Sequence, residues 1–128
     1  MVDSPADSKF RERDVSELVI YHNPRCSKSR ATLALLEERG IRPRIVKYLE
    51  TPPMREEIVG LLERLDMRPG ELVRRGEKAF KELGLADADD VALLDAMAAH
   101  PVLIERPIVD RGDRAVVGRP PENALELL

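Results

Sequence analysis

The sequence has few of the residues that usually announce chemistry. Of 128 residues one is cysteine, two are histidine and none is tryptophan, and the aromatics together make up 3%. One cysteine cannot close an internal disulfide, which excludes a cross-linked secreted scaffold. His22, His100 and that cysteine lie scattered, with no ligand spacing that would support a metal site. Scarce aromatics remove the stacking surfaces that single-stranded nucleic acid needs. A net charge of −3 likewise lacks the basic footprint of a nucleic-acid binder. No apolar run approaches the roughly 20 residues of a membrane span, and the N-terminus has no apolar signal core. No nucleic acid, no membrane and a cytoplasmic location are therefore expected.

What remains is a globular composition, 43% hydrophobic and 35% charged. That suffices for one domain with a modest core. Residues 1–16 are polar without a sustained apolar period and read as a flexible tail, so the folded domain is expected over 17–128.

The single cysteine sits at a junction. Leu18-Val19-Ile20-Tyr21 is an apolar, β-branched run that reads as a buried strand. Ala31 to Arg39 is rich in helix formers and closes on Gly40, a plausible helix C-terminus. Cys26 thus falls in a strand-to-helix turn, at or just before the first helical turn. There, free backbone N–H groups favour a thiolate or a bound anion. A lone cysteine is more often a small buried hydrophobe. Arg25, Ser27 and Lys28 as immediate neighbours, with His22 and Arg30 close by, argue for a reactive one.

Further along, Arg44 to Leu49 reads as a second strand, parallel to the first because a helix intervenes. Thr51 is the expected N-cap of the next helix, with Pro52 at its first position and Ile58, Leu61, Leu62 and Leu65 on its apolar face. Pro69-Gly70 reads as punctuation before a short helix begun by Glu71-Leu72-Val73-Arg74. Phe80, Leu83 and Leu85 supply apolar contacts, and Asp89 or Asp90 caps a helix that runs to Ala99, ahead of Pro101. A helical insertion over about 52–99 follows. Pro107-Ile108-Val109 and Ala115-Val116-Val117 flank a turn cluster and read as an antiparallel hairpin. A terminal helix starts near Pro121. The order βαβ, helices, ββα predicts an α/β fold, a four-stranded mixed sheet with flanking helices and an inserted helical region.

Three arginines stand where oxyanion partners of a thiol would be expected: Arg74 in the inserted helices, Arg106 just before a strand and Arg119 just after the hairpin. Guanidinium groups donate paired hydrogen bonds and stay charged at any working pH. In a chain with 21 Lys and Arg, any one of them taken alone reads as a surface charge.

The run Tyr21-His22-Asn23-Pro24-x-Cys26, followed by Ser29-Arg30, resembles the active-site loop of glutaredoxin-coupled arsenate reductases, which have a thioredoxin-like fold. Leu72-Val73-Arg74, Arg106-Pro107-Ile108-Val109 and Gly118-Arg119-Pro120-Pro121 follow in that family's order and near its spacing, so the resemblance covers about residues 18–128. It implies that Cys26 is the nucleophile, that His22 favours its thiolate, and that Ser29 places a hydroxyl beside it. It implies that Arg74, Arg106 and Arg119 bind arsenate and arsenite, and that Pro107 is the cis-proline of thioredoxin-like folds. Glutathione would be the co-substrate and glutaredoxin the protein partner, with no bound cofactor and a monomeric chain. The Cys26-Ser27-Lys28-Ser29 loop departs from the commoner glycine-containing form. Ser29 also stands where related regulators carry a second cysteine, which excludes an internal disulfide switch. A non-catalytic regulator that binds a protein partner and a thiol transferase on glutathionylated substrates are the alternatives.

Overall fold

The β-branched run after Leu18 forms the strand on which the sheet is built. β1 (Val19–Tyr21) pairs in parallel with β2 (Arg44–Val46), Ile20 opposite Ile45, and antiparallel with β3 (Ile108–Asp110), Ile20 opposite Val109. β4 (Ala115–Val117) pairs antiparallel with β3, which gives the order β2-β1-β3-β4. This computed structural model describes residues 18–128; the expected tail, 1–16, and residue 17 lie outside the described residues.

Side chains alternate across the sheet, so it separates two clusters. Ile20 and Val109 point to one face, where they meet Leu18, Leu36, Ile41, Ala124 and Leu127. Tyr21 and Ile108 point to the other, into a larger cluster built with the inserted helices. Helix α1 (Ser27–Glu38) covers the first face. Its end is fixed by Gly40 at φ 78°, whose N–H donates to the Glu37 carbonyl while the Ile41 N–H donates to the Leu36 carbonyl. That pair of bonds is a Schellman stop, and Leu36 and Ile41 pack together in the same cluster.

Between β2 and β3 lie α2 (Arg55–Leu65), α3 (Pro69–Leu72), α4 (Lys78–Glu82) and α5 (Asp90–Ala99), with 3-10 turns at Leu85–Asp87 and Pro101–Leu103. Ile58, Leu61, Leu62 and Leu65 are buried, and Asp89 caps α5 by accepting the Ala92 N–H at 2.9 Å. Several local expectations are corrected. α2 begins at Arg55, not beside Thr51, because Pro53 biases Pro52 away from helical backbone. The Glu57 carboxylate accepts the Met54 N–H there instead. Pro69 and Gly70 lie inside α3, where a proline at the first position lacks only a donor the helix would not use. Val73 is extended and bridges Ile104, so Arg74 follows a strand-like contact and not a helical turn. β2 ends at Val46, Leu83 is 44% exposed, and the terminal segment Pro121–Leu127 is a 3-10 helix, the tighter form short end pieces adopt.

The sheet order and connections are those of a thioredoxin-like fold. One contact sets the distance between its first helix and the segment after β4. The Thr32 hydroxyl, fully buried in α1, donates to the Lys28 carbonyl at 2.8 Å and lies 3.3 Å from the Gly118 carbonyl. A Cβ on Gly118 would stand 2.6 Å from Thr32 Oγ1 and 3.0 Å from Pro107 Cγ. Gly118→Ala is therefore expected to destabilise the protein by about 1–3 kcal/mol through overpacking. Gly76→Ala, which meets nothing within 4 Å, should stay within about 0.5 kcal/mol of wild type. Urea denaturation of both variants checks this, and equal midpoints would refute the close packing.

Candidate active site

Cys26 is the N-cap residue of α1, with extended backbone, and its side chain makes no capping bond. The preceding loop is curled tightly under it. The Cys26 N–H donates to the Asn23 carbonyl (2.9 Å), Asn23 Oδ1 accepts the Arg25 N–H (3.0 Å), and Arg30 donates to the Pro24 carbonyl (2.8 Å). Ser29 is completely buried, and its hydroxyl accepts the Asn23 N–H at 3.2 Å. Ser29 thus fixes the curl that presents the thiol, which is 9% exposed.

The arginines arrive from two other parts of the chain. Arg106-Pro107 and Arg119-Pro120 are both cis, the first as the resemblance implies and the second beyond it. The Gly118 N–H donates to the Pro107 carbonyl at 2.9 Å, which draws the two segments together. Arg119 Nη1 lies 3.9 Å from Cys26 Sγ and donates to the Arg106 carbonyl at 3.2 Å. The Val73–Ile104 bridge, closed by Arg74 N–H to Leu103 (2.7 Å) and Glu105 N–H to Leu72 (3.0 Å), brings Arg74 to the same place.

A residue that sequence reasoning passed over joins them. Glu105 Oε1 lies 3.3 Å from Arg74 Nε, 3.7 Å from Arg119 Nε and 3.9 Å from Arg106 Nη1, and it accepts the Arg106 N–H at 3.2 Å. Arg74 is also paired with Glu77. Arg106 is the least satisfied of the three. Its Nε and Nη1 are buried without a hydrogen-bond partner, Glu105 being an electrostatic neighbour too distant to accept from Nη1. In the sequence Glu105 looks like one acidic residue among 24; the available signal was a carboxylate standing between an apolar run and an arginine.

Two further groups border the site. His22 is 6% exposed, its backbone N–H donates to the Val46 carbonyl at 2.8 Å, and its ring Nδ1 is buried without a hydrogen-bond partner. Burial first, then the nearby Lys47 and Arg30 charges, hold its pKa below the ordinary 6.5. The imidazole is therefore neutral around pH 7. Tyr48, read from sequence only as part of a strand, is buried beside Glu105 in a niche with Leu72, Ile104 and Ile108. Burial raises its phenol pKa well above the ordinary range and keeps it protonated.

A thioredoxin-like sheet that presents one thiol at a helix N-terminus, with guanidinium groups gathered near it, delimits the class to which the protein can belong. The chain belongs to the ArsC family, whose model matches residues 21–127. It is 51% identical over 115 residues to the arsenate reductase of Neisseria meningitidis serogroup A, covering 88% of this chain and 98% of the relative. It is 50% identical over 115 residues to the uncharacterized protein YfgD of Escherichia coli K12, covering 88% and 97%. Among solved structures, the arsenate reductase from Vibrio cholerae superposes with a TM-score of 0.86 at 52% identity, covering 89% of this chain and 99% of that one.

The depressed His22 pKa has a consequence for stability. Above 6.5 the imidazole is neutral in both folded and unfolded chains; as pH falls through 6.5 the unfolded chain takes up the proton first, so folding weakens. Wild type should lose stability between about pH 7 and pH 5 more steeply than His22→Gln, measured by urea unfolding. Identical slopes in the two proteins would remove His22 from the account.

Proposed function

We propose that the protein is an arsenate reductase in which Cys26 is the nucleophile and Arg74, Arg106 and Arg119 hold the oxyanion. The observation that carries this is the pair of buried Arg106 donors without an acceptor, in a cluster whose Arg119 reaches the Cys26 sulfur. A buried, charged donor left unpaired costs at least about 1–3 kcal/mol, and an oxyanion with several acceptor oxygens removes that cost. The names of the Neisseria and Vibrio relatives support arsenate as that oxyanion.

In this reading the Cys26 thiolate attacks arsenic, an S–As bond forms, and one arsenate oxygen leaves as water after protonation. Guanidinium groups stabilise the charge on the remaining oxygens. The sequence has no second cysteine, so in this reading the electrons come from an external thiol, glutathione by family resemblance. Two sulfurs, those of Cys26 and the incoming thiol, are oxidised to one disulfide while arsenic takes the electron pair and becomes As(III). Glutaredoxin then returns Cys26 to the thiol by exchange. Neutral His22 can accept a proton near the loop, and Ser29 holds the loop in shape. We further propose that the protein acts as a cytoplasmic monomer without a bound cofactor.

The test is arsenate-dependent NADPH oxidation coupled through glutathione reductase, glutathione and glutaredoxin. Cys26→Ser should lose activity to background while keeping its fold. Arg106→Ala should lower kcat/KM by roughly 30-fold or more, as truncating one member of a buried charge cluster does. Exposed Arg42→Ala should leave kcat/KM within about twofold of wild type, the expectation for a surface charge. A folded wild type with no arsenate-dependent turnover would overturn the assignment.

A further inference from the structure

The carboxylate in the arginine cluster calls for a reason of its own. A site meant only to attract anions would gain from three guanidinium groups without a negative charge among them. The Glu105 side chain is 29% exposed, and its Oε1 lies within 4 Å of Arg74, Arg106 and Arg119 while accepting the Arg106 N–H. A negative charge thus stands, partly exposed, among the donors that an oxyanion would take up.

We propose that Glu105 is the specificity-determining residue of this site, selecting tetrahedral oxyanions that still carry a proton and rejecting those that carry none. This rests on the oxyanion site described above. An ionised carboxylate can only accept hydrogen bonds. Hydrogen arsenate and hydrogen phosphate keep an O–H around neutral pH and can donate it to the Glu105 carboxylate while their other oxygens take up the arginine donors. Sulfate has no proton there, and it sets bare oxygens against a negative charge. Discrimination then comes from a repulsive element built against the wrong anion as much as from attraction to the right one. Sites arranged around a ligand hydroxyl reject analogues that lack it far more strongly than sites that sense size alone.

The experiment reads occupancy without turnover, as protection of Cys26 in the full-length protein from iodoacetamide. It is run at about pH 7.5 and at constant ionic strength. Phosphate and arsenate should protect wild type at concentrations roughly tenfold or more below sulfate. Monofluorophosphate, a phosphate-sized dianion with fluorine in place of the hydroxyl, should protect as poorly as sulfate; this arm needs no variant. Glu105→Gln keeps an oxygen for the arginines but removes the charge and offers an N–H, so it should bring phosphate and sulfate within about threefold, chiefly by improving sulfate. Glu105→Asp should restore the preference. Equal protection of wild type by phosphate, sulfate and monofluorophosphate, or an unchanged preference in Glu105→Gln, would overturn the role of Glu105. A parallel loss of affinity for all anions in Glu105→Gln would reduce Glu105 to a clamp on the arginines. Failure of every anion to protect wild-type Cys26 would instead remove the oxyanion site itself.

Discussion

The site depends on a problem of like charge. Arg74, Arg106 and Arg119 converge near one thiol, and unit charges about 4 Å apart near a protein surface interact by roughly 4 kcal/mol. Three guanidinium groups do not gather without compensation. Glu105 supplies it from the centre, with a single oxygen within 4 Å of all three, and Glu77 pairs Arg74 from the side. The compensation is incomplete, because two buried Arg106 donors stay unmet. An incompletely neutralised cluster of rigid, permanently charged donors is the electrostatic definition of an anion site.

The sheet makes this convergence possible. β3 lies against β1, so the residues before Ile108 and the loop after Tyr21 come to neighbouring positions at one end of the sheet. β4 returns antiparallel to β3, which delivers Gly118 and Arg119 to the same end. The inserted helices contribute Arg74 through an extended bridge at Val73 and Ile104 rather than through a helix. Residues from positions 22 to 119 thereby form one cluster.

Much of the architecture was legible because it rests on local periodicity. The β-branched run at Leu18 to Tyr21, the Gly40 stop, the apolar face of α2, the Asp89 cap and the hairpin around Gly112 each carry their physical reason within a few residues. What was not legible depends on competition or on distance. Thr51 is a good cap by type, but Pro52-Pro53 overrules it. Pro69-Gly70 looks like a break, yet proline is welcome at the first position of a helix. The positions of Cys26, Arg106 and Arg119 could be marked from their motifs, whereas the role of Glu105 could not. Its significance comes from partners 31 residues upstream and 14 downstream, which only the folded chain brings within reach.

Charge alone would leave the arginines free to take many orientations; packing removes that freedom. Thr32 is buried in the second turn of the helix that Cys26 caps, and Gly118 directly precedes Arg119. The two approach so closely that no side chain fits at residue 118. The backbone that carries Arg119 is therefore held against the helix that carries Cys26, and the curled loop under Cys26 is fixed by Ser29 from inside the same helix. Donors held in place before the ligand arrives need no reorganisation when charge develops on it, and this is what makes such groups effective at a reacting centre. In the proposed reaction the buried hydroxyls of Ser29 and Thr32 act as positioning groups: each holds backbone that carries a reacting or anion-binding side chain.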